Sequence, residues 1–145
     1  MGIAGHIVTS AAVFGTTLAL TGSFGFAIGA SLGSLLWDID HLLDYWILDH
    51  QHNLNPLLFI RHFTETDRFP ARRLLLLHSH EVILALIVLA SVSRRQLPLA
   101  LAIGGFIHIV SDIAPDGFSH VGNSVKRYAL LYRLRCSFRS DRIYR

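Results

Sequence analysis

The sequence is short of charge. Asp, Glu, Lys and Arg make up 16% of its 145 residues, against about 25% in an average soluble protein. The first 37 residues contain none of them, and Leu74–Ser93 and Gln96–Ser111 share a single formal charge, Glu81. Such long uncharged stretches exclude a disordered chain and a nucleic-acid-binding domain of the usual soluble kind. They predict an integral membrane protein with the lipid bilayer as its partner.

Cysteine is also nearly absent. The single Cys136 cannot form an intramolecular disulfide, which excludes a small disulfide-rich scaffold. No Lys or Arg precedes Arg61, so the N-terminus lacks the basic region of a secretory signal peptide. The first apolar segment is therefore expected to be retained as a membrane span.

Four apolar stretches approach the length of roughly 20 residues that crosses a hydrocarbon core of about 30 Å. A break at Thr21-Gly22-Ser23 divides the first uncharged stretch into two spans. The predicted spans are residues 3–20, 24–43, 74–93 and 97–114. The ridge Gly25-x-x-x-Gly29-x-x-x-Gly33 favours close approach of neighbouring helices. The expected fold is an all-α, polytopic bundle of four transmembrane helices that forms a single domain, residues 1–122.

Two regions outside the spans hold most of the basic residues. The loop 49–73 contains an expected interfacial helix, in which Asn55 is the cap and Pro56 the first helical residue. Residues 123–145 form a basic amphipathic tail, expected to contact anionic headgroups rather than nucleic acid. With four spans, 11 of the 13 Lys and Arg residues lie on one side. The positive-inside rule then predicts that both termini and the long loop are cytoplasmic.

Ionisable side chains border all four predicted spans at the same membrane face. They are His6 in the first span, Asp38, Asp40, His41 and Asp44 in the second, His78, His80 and Glu81 in the third, and His108 and Asp112 in the fourth. Each such group at membrane depth costs about 2.5–3.5 kcal/mol, so the groups are expected to neutralise one another or to bind a ligand. A divalent metal meets this need, because carboxylates stay ionised and imidazoles stay neutral around it. His108 and Asp112, four residues apart, share one helical face.

Two other interpretations of these residues stay open. A non-catalytic metal-binding or ion-handling membrane protein would need polar groups across the bilayer, whereas the far ends of the spans are apolar. A structural membrane protein would use the cluster only to lock helix packing. On a regular helix His80 points away from His78, and the loop residues His50, His52 and His62 are expected to be solvated.

Several short motifs occur in an order that resembles one family. They are His6, the stretch GSLLWDIDH at Gly33–His41, the pair His78-Ser79, and the stretch GFIHIVSD at Gly105–Asp112. Up to about Asp116 the chain resembles the YdjM-like, membrane-bound, predicted metal-dependent hydrolases. The resemblance implies a metal site formed by His6, Asp38, Asp40, His41, His78, His108 and Asp112.

The chain departs from this family pattern at two places. Trp37 stands where family members usually have proline. Arg72-Arg73 stand before a leucine run, where the family usually has a His-Arg pair ahead of its His-Ser pair. If that missing histidine is a ligand, either His80 or His62 takes its place or activity is lost.

The expected function is metal-assisted hydrolysis at the cytoplasmic leaflet of a bacterial or archaeal membrane. Imidazole and carboxylate ligands favour Zn²⁺, with Mn²⁺ or Fe²⁺ as alternatives, and one or two cations would polarise an ester or phosphoester oxygen. Glu81, or an aspartate that is not a ligand such as Asp40, is the predicted general base. Arg72 and Arg73 are predicted to hold a phosphate or lipid headgroup, their alternative role being positive-inside anchoring. The position of the site at headgroup depth suggests a lipid or lipid-linked phosphoester as substrate.

Overall fold

The computed structural model describes residues 3–48, 50–53, 55–65, 74–114 and 125–143. Within these ranges the chain is helical and contains no β-strand, which confirms the predicted all-α class. The elements are α1 (Ile3–Thr21), α2 (Phe24–Leu36), α3 (Ile39–Leu43), a π-helical turn (Asp44–Leu48), α4 (Pro56–Glu65), α5 (His80–Ser93), α6 (Gln96–Ile113), α7 (Leu130–Arg135) and α8 (Ser140–Ile143).

Helices α1 and α2 form a tight antiparallel hairpin. Gly22 adopts a φ of +63°, in the left-handed region that ends many helices, and Ser23 caps α2 by accepting a hydrogen bond from the Phe26 backbone N–H. Further along, the Ser31 hydroxyl donates to the Ser10 carbonyl at 3.0 Å. The predicted break at 21–23 is therefore confirmed, and α1 ends one residue beyond the predicted first span.

Helices α2 and α6 lie side by side and run parallel, with their backbones in contact. A Cβ atom on Gly33 would lie 2.6 Å from the Leu101 carbonyl oxygen, and one on Gly104 would overlap the Ala30 carbonyl. Only glycine permits so close an approach, as in small-residue contacts between membrane helices. The packing brings the C-terminal ends of α2 and α6 to the end of the bundle where α1 begins.

The second and third predicted spans are not continuous α-helices. Helix α2 ends at Leu36, so the span predicted over 24–43 is interrupted before α3. Helix α5 begins only at His80, and the six residues Leu74–Ser79, here called the ligand segment, are non-helical. The 14 residues of α5 extend about 21 Å, less than the hydrocarbon core of about 30 Å.

Helices α1 and α6 match the predicted first and fourth spans closely. In the described part of the chain, the two helices that are long and apolar enough to cross a membrane are their segments Ala4–Thr21 and Gln96–Ile113. Large apolar side chains face outward, with Leu20 80% and Val92 79% exposed. The contacts between α2 and α6 are instead made by small residues such as Ala30 and Ala100, which are fully buried.

The loop and the tail each contain a helix. Asn55 Oδ1 accepts a hydrogen bond from the Leu57 backbone N–H at 2.9 Å, and Pro56 is the first residue of α4, which confirms the predicted cap and start of that helix. In the tail, α7 packs against the bundle, because the side chain of its Arg133 is almost completely buried. This part of the tail belongs to the folded core.

Candidate metal centre

Ionisable side chains from distant parts of the chain meet at one end of the bundle. His6 lies on α1, Asp38 and His41 follow α2, His78 lies in the ligand segment, and His108 and Asp112 lie on α6. They form three overlapping groups, His6–Asp38–His108, Asp38–His41–His78 and His78–His108–Asp112, whose ligand atoms lie within 4.8 Å of one another. These His and Asp side chains could hold a metal ion.

Four ligand atoms form the centre of this cluster. The Nε2 atoms of His78 and His108 are 3.0 Å apart. Asp38 Oδ1 lies 3.6 Å from the His78 nitrogen and 3.4 Å from the His108 nitrogen. Asp112 Oδ2 lies 3.6 Å and 3.3 Å from the same two atoms. Ligand atoms about 2.0–2.2 Å from one tetrahedral metal are about 3.3–3.6 Å apart, so each of these imidazole–carboxylate spacings fits two ligands of the same cation.

Hydrogen bonds on the far side of each ring fix the orientation of both central imidazoles. His108 Nδ1 lies 2.7 Å from the Ser34 carbonyl oxygen, which can only accept, so this nitrogen carries the proton and donates it. His78 Nδ1 lies 3.0 Å from both oxygens of Asp40 and donates to that carboxylate in the same way. When both rings are neutral, the two Nε2 atoms that face each other are both unprotonated. Two unprotonated nitrogens at 3.0 Å repel unless a cation or a proton lies between them.

Asp40 supports the cluster from behind. It is almost completely buried, and its Oδ2 atom accepts the backbone N–H groups of Leu77 and His78 at 2.9 Å and 3.2 Å. Its carboxylate orients the His78 ring, as carboxylates commonly do for metal-bound histidines. The structure therefore places Asp40 behind His78 and outside the three groups of ligand atoms, and its predicted roles as a ligand and as general base stay predictions.

Charged side chains hold the ligand segment in its non-helical conformation. Asp44 Oδ1 accepts the Leu74 N–H at 3.0 Å. The Arg133 guanidinium donates to the carbonyl oxygens of Leu75 at 2.6 Å and of His78 at 2.9 Å. Since a buried backbone must have its polar groups bonded, these side chains take the place of the missing helical hydrogen bonds. They also fix the backbone on both sides of the His78 side chain.

Glu81 and His80 contact the tail. The Glu81 carboxylate accepts the backbone N–H groups of Leu130 and Leu131 at 2.9 Å and 3.1 Å, at the start of α7. The His80 ring lies 3.2 Å from the Val125 carbonyl oxygen and donates to it. Neither side chain belongs to the groups of ligand atoms. Glu81 caps α7, and its role as general base stays a prediction.

The remaining predicted residues lie away from the cluster or outside the described part of the chain. His50 and His52 are exposed in the loop, as expected. Arg72 and Arg73, predicted to hold a phosphate or headgroup, are outside the described residues, and so is the side chain of His62. The sequence analysis missed Arg133, because nothing distinguishes it from the other basic residues of the tail.

The cluster is open at one edge. The side chains of His78 and His108 are 2% and 0% exposed, whereas that of Asp38 is 34% exposed. The His41 imidazole, whose Nε2 atom lies 3.6 Å from Asp38 Oδ1, is partly exposed beside it. A small molecule or a water would therefore reach the buried ligand atoms past Asp38 and His41.

Comparisons with protein-family models, with curated proteins and with solved structures find no match to the chain. The chemistry of the site is therefore inferred from the ligand atoms themselves and from the order of the motifs.

Proposed function

We propose that the chain is a membrane-embedded, divalent-metal-dependent hydrolase whose site faces the cytoplasmic leaflet. The observation that carries this proposal is the convergence of the His78 and His108 Nε2 lone pairs with one oxygen each from Asp38 and Asp112. Two anionic and two neutral ligands neutralise a divalent cation, which offsets the free-energy cost of burying its charge. The resemblance to the YdjM-like hydrolases is consistent with this chemistry.

Zn²⁺ is the proposed metal, and Mn²⁺ or Fe²⁺ are the alternatives. Mixed imidazole and carboxylate ligands suit these ions better than Ca²⁺, which takes six to eight oxygen ligands. When bound, such a cation lowers the pKa of a water ligand and polarises an ester oxygen. Asp40 and the Ser34 carbonyl keep the two imidazoles in the tautomer that ligation requires.

The membrane location is supported by the distribution of apolar side chains. Leu20, Val92 and Leu84 are among the large apolar residues that point outward, and the helix contacts use alanine and glycine. This arrangement is typical of helices surrounded by lipid. We propose four spans, the second and third of which are interrupted beside the cluster. Non-helical backbone is tolerated at membrane depth when protein groups bond it, as they bond the ligand segment.

The proposed substrate is a lipid or lipid-linked phosphoester that reaches the cluster past Asp38. In the reaction, the water oxygen forms a bond to phosphorus, the bond from phosphorus to the alcohol oxygen breaks, and the water proton ends on the departing alcohol. His41 lies at the open edge and is the proposed proton carrier, since Glu81 is engaged on α7.

Metal analysis of the purified protein tests the proposal. The chain is purified in detergent without added metal, and its bound metals are measured by inductively coupled plasma mass spectrometry. We expect a stoichiometric transition metal, together with hydrolysis of a phosphoester-containing lipid that is lost on chelation and restored by metal. Bound metal without turnover would favour the non-catalytic metal-binding alternative, and metal-free folded protein would favour the structural one.

A topology experiment tests the membrane arrangement independently. A reporter fused after Arg145 should be cytoplasmic, and one inserted at Gln96 should be external, because the proposed four spans would put 11 of 13 Lys and Arg residues on the side of the termini. A cytoplasmic reporter at Gln96 would contradict the four-span arrangement.

A further inference from the structure

We propose that the cluster holds two divalent cations, the second bound by His6 together with the outer oxygens of Asp38 and Asp112. This inference rests on the proposed metal-dependent function and extends it to the number of metals. The first cation lies among His78, His108, Asp38 Oδ1 and Asp112 Oδ2, as described above. The second lies on the other side of the same two carboxylates.

The two oxygens of each carboxylate face different imidazoles. Asp38 Oδ1 and Asp112 Oδ2 are the atoms nearest the His78 and His108 nitrogens. The opposite oxygens are nearest His6, whose Nε2 atom lies 3.5 Å from Asp112 Oδ1 and 3.8 Å from Asp38 Oδ2. Both carboxylates are thus oriented as bridges, with one oxygen for each of two neighbouring positions.

The stacking of two imidazoles sets the spacing between these positions. The rings of His6 and His108 are stacked nearly parallel, at 18°, with their centroids 4.5 Å apart. Two parallel rings that each bind a cation through Nε2 hold the cations about as far apart as the rings themselves. Metals in two-metal hydrolytic sites are about 3.5–4 Å apart, a spacing that a small tilt of the rings would give here.

The two positions differ in how many protein ligands they offer. The first has four, His78, His108 and one oxygen each of Asp38 and Asp112, whereas the second has three, His6 and the other oxygen of each carboxylate. Three protein ligands leave a position for water or substrate, as in catalytic zinc sites, whereas at the first position a water would have to bind as a fifth ligand. The second position also shares Asp38, the most exposed of these side chains, and therefore lies toward the open edge.

The buried charges favour more than one cation. Four carboxylates, Asp38, Asp40, Asp44 and Asp112, and one guanidinium, Arg133, line the cluster and the ligand segment. One divalent cation leaves this group with net negative charge, so a second cation meets attraction on entering it.

A two-metal centre narrows the substrate class. Paired cations stabilise both the attacking and the leaving oxygen of an in-line displacement, the arrangement used by phosphatases and nucleases. Among the candidate esters, the geometry thus favours a phosphoester over a carboxylic ester. The simpler role for His6 is a hydrogen bond to the two carboxylates, and that role predicts one metal per chain.

Metal counting separates these possibilities. The wild-type chain, a His6→Ala variant and a His52→Ala control in the exposed loop are loaded with Zn²⁺, freed of unbound metal by gel filtration and analysed for metal content. We expect two, one and two zinc ions per chain, with unchanged helix content by circular dichroism. One zinc per wild-type chain would overturn the second site and leave a single-metal hydrolase, which the turnover and chelation assay tests separately, and none would overturn both. A folded His6→Ala chain that retains two zinc ions or none would also overturn the second site.

A measurement on the wild type keeps the inference testable if the His6 variant does not fold. The chain is saturated with Mn²⁺ and examined by electron paramagnetic resonance. Two Mn²⁺ ions bridged by carboxylates give an exchange-coupled spectrum, which is the expected result. The six-line spectrum of an isolated ion at saturation would contradict a bridged pair.

Discussion

The cluster is assembled from two regions that are built in different ways. His6, His108 and Asp112 project from α1 and α6, and Asp38 follows directly after α2, so packing of regular helices sets their positions. His78 instead projects from the non-helical ligand segment, whose backbone is bonded by Asp40, Asp44 and Arg133. In the first region, glycine lets the helix backbones contact each other. In the second, charged side chains form the backbone hydrogen bonds that a helix would otherwise provide.

The position of a ligand atom therefore depends on the sequence in a different way in each region. In the helical region, a ligand atom is displaced only if a helix moves, and helix positions depend on contacts such as that of Gly104 with Ala30. In the ligand segment, substitution of one supporting side chain can displace His78 while every helix keeps its position. Substitutions in the two regions should therefore affect fold and metal binding in different proportions.

The largest effect is expected for a ligand of the helical region. Asp112→Asn keeps the size of the side chain but removes one of two ligand charges from a buried site. Metal affinity should fall by more than about 100-fold. A loss of about 10–100-fold is typical when the substituted residue contacts only a ligand and not the metal itself. Isothermal titration of the metal-free protein measures this loss. If the cluster only locks helix packing, the same variant should be neutral or more stable, because a buried charge has been removed.

The next effect concerns the fold. Gly104→Ala places a methyl group against the Ala30 carbonyl, and α2 and α6 must separate to admit it. We expect a loss of about 3 kcal/mol of stability, at the upper end for overpacking, with metal binding lost as the helices part. Thermal unfolding in detergent measures it.

Gly25→Ala is the matched control, since no atom lies within 4 Å of its added Cβ. Alanine there should leave stability unchanged or raise it by up to about 1 kcal/mol. Equal losses in both variants would show that α2 and α6 do not approach as closely as described.

In the ligand segment, the expected effect is on metal affinity at constant fold. Arg133→Gln removes the guanidinium that bonds the carbonyls of Leu75 and His78, so the His78 ring loses its fixed position. Metal affinity should fall about 10–100-fold, as for other outer-shell partners. The absorption spectrum of the Co²⁺-loaded protein should shift as well, because it reports ligand geometry. Arg133→Lys, which retains donors and charge, should restore part of the affinity.

Arg135→Gln tests whether this effect is specific. Arg135 is exposed on the same helix, α7, and the change in net charge is the same. The control should leave affinity and the Co²⁺ spectrum unchanged. Matching losses in both variants would mean that the tail acts through its overall charge.

The helical region was largely predictable from the sequence. Long uncharged stretches located α1 and α6, the break at Gly22 located the hairpin, and the i,i+4 spacing put His108 and Asp112 on one face. These features depend on periodicity and on local turn residues, which a single sequence displays. The convergence of their ligands at one end then followed from the alternating direction of the helices.

The ligand segment was not predictable in the same way. The leucines of the segment continue the apolar run of α5, so composition predicted a helix over 74–93, whereas the helix begins at His80. What prevents it is bonding to Asp40 and Arg133, which are far away in sequence. The roles of Asp40 and Glu81 depend on the same contacts, so spacing alone could not distinguish an orienting carboxylate or a helix cap from a general base.

The smallest effect is expected for Glu81→Gln, which tests the least predictable contact of the second region. The carboxylate accepts the N–H groups of Leu130 and Leu131 at the start of α7, where Ala129 offers no side-chain cap. Glutamine keeps one acceptor oxygen but loses the charge, so stability should fall by about 1 kcal/mol, the difference between charged and neutral hydrogen bonds. Metal content should not change, and turnover should stay within about a factor of two. A general base at this position would instead give a loss of about 10²–10⁴ in kcat at unchanged stability. Measuring kcat and thermal unfolding on the same preparation distinguishes the two outcomes. Loss of a helix cap lowers stability at nearly unchanged kcat, whereas loss of a general base lowers kcat at unchanged stability.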